Sequence, residues 1–431
     1  NRPLAIVLDD LHAADAESVT LTEFVGRSLA SLPIAIVATA READVLLAPQ
    51  QLRAHERLLR LGSLERWPLS GLHDEELREF VERLLGRVPE PALVGALERQ
   101  TGGNPLLLGE SLRSLDARGL LAASRSRSEW ESLLPRGIEH LLRPKLRLLS
   151  PGALEALALV SAIGLEVDRR ILASGPLAQP GLESRLEELQ AAGLLHGGAS
   201  AARLRLAHGL VRDSIYEELV PAGPPRRALH ARICAALESA EAESAAVGGA
   251  SLAERARHAC EAVPLVDPLR AAELSRRAAE QAAILHDFEG ASARYEQALS
   301  ALSSPGSPDP ALHATILLGL ARSRARSLGL ERARASFLAA ADAARSIERA
   351  DLLAEVALGL AERPNSSGQE DPEVSALLDE ARQRLTPEAV ALHIRIASRL
   401  AAELRYSERA RSLALADESL AAARRLGDPS V

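Results

Sequence analysis

Two adjacent carboxylates, Asp9 and Asp10, follow the apolar run Leu4-Ala5-Ile6-Val7-Leu8. Carboxylates at such a place can hold a divalent cation beside phosphates. A second apolar run, Ile34-Ala35-Ile36-Val37-Ala38, is followed by Thr39 and Arg41, polar groups able to sense a terminal phosphate or orient a water. Further on stand Gly103-Asn104-Pro105 and, much later, His208. Each also has a purely structural reading. Asp9-Asp10 can be a turn, with Asp15 capping the next helix. Thr39 can be a cap and Arg41 a solvated side chain, Asn104-Pro105 a helix start, and His208 a junction histidine. Spacing alone leaves both readings open.

Elements must bring these residues together. Five consecutive apolar residues, many of them branched, predict a strand buried on both faces of a parallel sheet. Leu21, Phe24, Val25, Leu29 and Leu32 recur at helical spacing until Pro33. Strand, helix, strand at this length is a βαβ unit, so the second strand runs parallel to the first. Both C-terminal ends then share one edge, which brings Thr39 and Arg41 near Asp9. Residues 43–62 read as helix and loop, and 64–69 as a short outer strand, since Trp67-Pro68 cannot sit in a central one. Asp74 is expected to cap an amphipathic helix with Leu77, Phe80, Val81, Leu84 and Leu85 on one face, ended by Gly86. A second helix carries Leu93, Val94 and Leu97, and a third runs from Asn104 through Leu112 and Leu115. Residues 118–131 read as a polar linker.

Helices follow at 138–149, kinked at Pro144, at 154–163 and at 182–189. A hairpin of 194–196 with 203–206 completes what reads as a winged helix. Its last helix before the hairpin, Glu183-Ser184-Arg185-Leu186-Glu187-Glu188-Leu189, is acidic and would be repelled by phosphates, which argues against nucleic-acid binding. From Pro225 the chain reads as helical, with Arg227, His230 and Arg232 on a solvated face. Ala291-x-x-x-Tyr295-x-x-Ala298 and Ala333-x-x-x-Phe337-x-x-Ala340 repeat the second-helix signature of tetratricopeptide units. Weaker copies lie near 376–385 and 393–425.

Composition sets the frame. Of 431 residues 47% are hydrophobic and 26% charged, as in folded globular chains. Aromatics are only 2%, which favours helices packed through small side chains. The net charge of −8 argues against a chain devoted to nucleic acid or anionic membrane. Two cysteines, Cys234 and Cys260, make no disulfide framework and point to a reducing, cytoplasmic setting. There is no signal peptide and no apolar run of membrane-spanning length. The chain has no methionine and opens on a core strand, so it is expected to be a piece of a longer protein.

Leu8-Asp9-Asp10-Leu11-His12-Ala13-Ala14-Asp15 resembles the Walker B region of the STAND class, the signal-transduction ATPases with numerous domains. Val37-Ala38-Thr39-Ala40-Arg41 resembles that class's sensor strand, and Gly103-Asn104-Pro105-Leu106 its lid motif. His208, after Ala207 and before Gly209, is similar to the histidine of a Met-His-Asp-Leu-type motif. The closest subgroup fuses the ATPase to LuxR-type DNA-binding domains, kinases or cyclases; Ala13 stands where its tryptophan commonly does. The resemblance implies ATP/ADP and Mg²⁺ as cofactors. Asp9 would hold the metal through water and Asp10 would polarise the attacking water. Thr39 or Arg41 would sense the γ-phosphate, the Gly103-Asn104-Pro105 turn would pack on the base, and His208 would meet the β-phosphate. A Gly-x-x-x-x-Gly-Lys-Ser/Thr phosphate loop, which the class carries ahead of this strand, is not in the sequence. Hydrolysis is therefore expected only in a full-length parent.

The expected architecture is mainly α with a partial α/β P-loop domain at 1–70. A helical lid at 71–125, a winged helix at 126–222 and a repeat array at 223–431 follow. The repeats would receive an effector protein or small molecule, and nucleotide state would govern homo-oligomerisation; no direct nucleic-acid or membrane contact is expected. The rival reading is a repeat scaffold whose ATPase half is degenerate and which binds partners without nucleotide.

Overall fold

The computed structural model describes residues 3–29, 32–40, 54, 56–62, 64–122, 124–134, 138–197, 202–206, 209–243, 251–303, 309–362 and 371–426. The described residues are mostly helical, with two small sheets and a helical repeat array. It divides into two compact units: Asn1–Glu65 with Ser251–Val431, and Arg66–Ala250.

The first unit opens with β1 (Leu4–Leu8), α1 (Ala16–Ser28) and β2 (Ile34–Ala38). The strands pair in parallel from Leu4 opposite Ile34 to Leu8 opposite Ala38, as the crossover rule requires. Asp15 caps α1, its carboxylate accepting the Ser18 amide at 2.7 Å. Val19 on α1 packs with Leu11, Ala54 and Leu58. The expected burial of both strand faces is not met: Val7 is 71% exposed, and Leu4, Val37 and Phe24 are exposed too. Two strands and one helix cannot cover both faces of a sheet. The expected outer strand at 64–69 is also absent. That segment has no strand pairing, and Trp67 and Leu69 face solvent.

Among the described residues the second unit holds two hydrophobic clusters. The first gathers α2 (Asp74–Leu85), α3 (Pro91–Thr101), α4 (Pro105–Ala117) and α5 (Arg127–Leu133) around Leu77, Leu97, Leu108 and Leu115. His73, not Asp74, is the N-cap of α2, and its side chain makes no capping bond. The expected linker at 118–131 is partly helical and buries Trp130. Ser126 and Glu129 form a capping box that starts α5.

The second cluster is built by α6 (Ile138–Leu148), which contains Pro144, and α7 (Pro151–Ile163). Then come β3 (Glu166–Asp168), α8 (Arg169–Leu172), α9 (Leu182–Ala191), β4 (Leu195–Gly197), β5 (Arg203–Leu206), α10 (Gly209–Leu219) and α11 (Pro224–Glu243). The strands form an antiparallel sheet in the order β3-β5-β4. The hairpin was expected; β3, three residues long, adds a third strand. His230 is buried rather than solvated: its Nε2 lies 2.9 Å from the Tyr216 hydroxyl.

The repeat array runs through α12 (Leu252–Glu261), α13 (Pro268–Ile284), α14 (Phe288–Leu302), α15 (Pro310–Leu328), α16 (Leu330–Ser346), α17 (Ala350–Leu360), α18 (Pro372–Arg384), α19 (Val390–Glu403) and α20 (Arg409–Leu426). First helices begin at 268, 310, 350 and 390, a spacing of about 40 residues. The tetrapeptide Leu-Gly-Leu-Ala recurs at 318–321 and 358–361 for a packing reason. A Cβ at Gly359 would sit 2.6 Å from the Phe337 ring, and one at Gly319 would enter the Tyr295 ring. Ion pairs join one helix pair to the next, among them Arg345–Glu380 at 2.7 Å and Arg382–Glu418 at 2.8 Å. No helix among the described residues is long and apolar enough to cross a membrane.

Candidate functional site

Parallel pairing of β1 with β2 puts Asp9 and Thr39 side by side at the C-terminal edge. The backbone locks them there. Thr39 N–H donates to Leu8 O at 3.0 Å and Leu11 N–H donates to Thr39 O at 2.7 Å. The Thr39 hydroxyl donates to Asp9 Oδ1 at 2.6 Å and accepts the Asp10 amide at 2.9 Å. One hydroxyl therefore holds the Asp9 carboxylate and pins the Asp10 backbone beside it. Its single proton is directed at Asp9.

Asp10 is held at φ 55°, ψ 46°, a left-handed conformation that costs a non-glycine residue roughly 1–2 kcal/mol. The chain turns sharply there into the 3₁₀ turn Leu11–Ala13, so the two carboxylates do not continue along the strand. His12 Nδ1 lies 3.7 Å from Asp10 Oδ1, close enough for a charged contact when the ring is protonated. Behind the edge, the buried Glu23 on α1 bonds Arg57 at 3.1 Å and also Arg27. Those guanidinium bonds hold its carboxyl below the usual range. This pairing anchors α1 against the helical segment that carries Arg57.

The donor set suits a metal that keeps most of its own shell. Among the described residues no group of three or more His, Cys, Asp or Glu could enclose a metal ion. Mg²⁺ is commonly held by one or two carboxylates, with waters and substrate phosphates completing the octahedron. Asp9 and Asp10 fit that pattern.

The Gly103-Asn104-Pro105 turn belongs to the other compact unit. Gly102 and Gly103 are both left-handed, at φ 58° and 72°. The backbone at Gly103 crosses that of Gly71 and Leu72 so closely that a Cβ at Gly71 or Gly103 would collide with main-chain atoms. Leu72 N–H donates to Gly103 O at 2.8 Å across this crossing. The buried Thr101 hydroxyl, bonded to Leu97 O at 2.7 Å, accepts the Gly103 amide at 3.2 Å. Asn104 Oδ1 caps α4 by accepting the amides of Leu106 at 2.9 Å and Leu107 at 3.3 Å. The glycines are thus explained by backbone geometry alone. Pro105 stands exposed at the first position of α4, its ring available for stacking.

The structure therefore unites Asp9, Asp10 and Thr39 and places Gly103, Asn104 and Pro105 together in a separate unit. Arg41 and His208 lie outside the described residues. Sequence reading missed Gly71, the partner of the Gly102-Gly103 turn. A glycine in Leu69-Ser70-Gly71-Leu72, just ahead of a helix, was its available signal.

No protein-family profile matches the chain. No curated protein sequence matches it either. Among solved structures, a Signal Transduction ATPase with Numerous Domains (STAND) protein with a tetratricopeptide repeat sensor from Pyrococcus horikoshii is similar at 13% identity and a TM-score of 0.41. The match covers 99% of this chain and 63% of that one, so this chain spans less than two thirds of that protein's length. A likeness at this level fixes neither the site nor its chemistry.

Proposed function

We infer that the chain is part of a STAND-type nucleotide-switched signalling regulator, of the subgroup fused to transcriptional or other output domains. The observation that carries this reading is the Thr39-clamped Asp9-Asp10 pair at the shared edge of two parallel strands. Ligands of open α/β sheets bind at that edge.

In this reading residues 1–70 are the second half of a P-loop domain, 71–125 a lid, 126–222 a winged helix and 223–431 the effector-receiving repeats. Asp9 would hold Mg²⁺ through water, and the metal would supply charge neutralisation beside the phosphates. Asp10 would polarise and so orient the attacking water. Thr39 fixes the Asp9 carboxylate and the Asp10 backbone, and Arg41 would face the γ-phosphate. Pro105 would stack on the base, with Gly103 and Asn104 shaping its turn, and His208 would contact the β-phosphate. ATP/ADP exchange would switch the protein and its homo-oligomerisation in a cytoplasmic setting.

A scaffold reading is favoured by one observation: repeat helices joined by inter-repeat ion pairs make up a large share of the described chain. Ligand linkage separates the two. A nucleotide that binds only the folded chain raises its melting temperature as ligand exceeds Kd. Millimolar Mg·ADP should raise the melting temperature of the chain, Asp9→Ala should abolish the rise, and no phosphate release from ATP should be measurable. A melting temperature that ignores Mg·ADP would favour the scaffold, and turnover abolished by Asp9→Ala would overturn the account of an incomplete phosphate site.

A further inference from the structure

The two hydrophobic clusters of the second unit come together where α4 meets α6. Leu142 and Leu146 of α6 belong to the second cluster, while Leu108, Leu112 and Leu115 of α4 belong to the first. Across that seam Lys145 Nζ of α6 donates to Glu110 Oε2 of α4 at 2.7 Å. Lys145 is the single lysine of the chain. Both side chains are largely covered, 29% and 20% exposed.

Glu110 has a second partner. Arg113, one turn along the same helix, bonds its other oxygen Oε1 at 2.5 Å and is 61% exposed. Burial alone would push the Glu110 carboxyl up, but the Lys145 and Arg113 bonds outweigh it and hold the group below the usual range. Glu110 thus has one partner on each side of the seam, Lys145 across it and Arg113 on its own helix. Breaking a buried ion pair is costly when it strands a charge. Here the release of Lys145 leaves Glu110 still paired with Arg113. Lysine suits such a joint, being a compact point charge on a flexible stem rather than a rigid two-pronged donor.

The position of Glu110 adds the functional side. It lies on the helix that Asn104 caps and Pro105 begins. A ligand pressing on that turn would move α4 as a rigid element, and Glu110 with it. We propose that the Lys145–Glu110 pair is a releasable latch, through which the helical module carrying the Asn104-Pro105 turn is coupled to the hairpin module that follows. The latch stands on geometry; its control by ligand rests on the nucleotide reading above.

The test uses the whole chain without nucleotide, so it can fail while the nucleotide reading stands, and the reverse. Ile215, fully buried in the second cluster, is weakened by Ile215→Val, a change mild enough to keep the fold. Hydrogen exchange of the α4 amides is then followed by mass spectrometry. In the parent background Ile215→Val should speed α4 exchange about fivefold. In Lys145→Met, and separately in Glu110→Gln, the same change should alter α4 exchange less than twofold. Arg143→Met, which breaks only the Arg143–Glu218 pair within the second cluster's own elements, should leave the coupling intact. The latch is rejected if α4 ignores Ile215→Val in the parent, or responds equally with and without Lys145.

Discussion

At the residue scale, the distinctive feature is that one hydroxyl ties the Asp9 carboxylate to the backbone of Asp10. Thr39 gives its proton to Asp9 and takes one from the Asp10 amide. Thr39→Val keeps the shape and the strand but removes both bonds. It should weaken Mg·ADP binding about tenfold, read as a smaller melting-temperature rise, whereas Thr39→Ser should retain most of the rise. An effect of Thr39→Val that Thr39→Ser does not rescue would assign Thr39 to packing. The proximity of Asp9 and Thr39 was legible because a right-handed crossover forces parallel strands whose C-terminal ends coincide. The direction of the hydroxyl proton was not, because it depends on the register of β1 against β2. His230 shows the opposite failure. Its neighbours Arg227 and Arg232 suggested a wet face, yet contact with Tyr216 buries it.

At the element scale, the repeats were readable from their aromatic positions but incompletely so. Tyr295 and Phe337 mark second helices; Gly319 and Gly359 are the sockets that receive their rings, and a glycine inside a helix looks at first like a defect. Gly359→Ala would ordinarily favour a helix. Here the added methyl meets the Phe337 ring at 2.6 Å and must displace it. Overpacking of this kind costs about 1–3 kcal/mol, so the melting temperature should fall. Gly359→Ala combined with Phe337→Leu should recover part of the loss. A Gly359→Ala variant more stable than its parent would show that the socket is loose. The capping box that starts α5 was present as Ser126-x-x-Glu129 and was masked by the polar residues around it. The outer strand expected at 64–69 failed because so short a segment, with Pro68 inside it removing a backbone donor, carries too little pairing to form one.

At the scale of the whole molecule, the mainly helical class with a repeat array followed from hydrophobic period and small-residue content. The exposed faces of β1 and β2 did not, since burial depends on what packs against a sheet and not on the strand's own sequence. Nor could the Lys145–Glu110 contact be read, because it joins helices of two different hydrophobic clusters. The central claim is that the Asp9-Asp10 edge receives a metal–nucleotide complex. Electron paramagnetic resonance of Mn²⁺, which reports free ion directly, addresses that claim when ADP is titrated into the chain. Uptake of Mn²⁺ beyond that of ADP alone without protein is expected only with ADP present, since two carboxylates alone make a weak Mg²⁺-type site. It should disappear in Asp9→Ala and survive in Thr39→Ser. Mn²⁺ uptake that Asp9→Ala leaves unchanged, or none at millimolar ADP, would contradict the account.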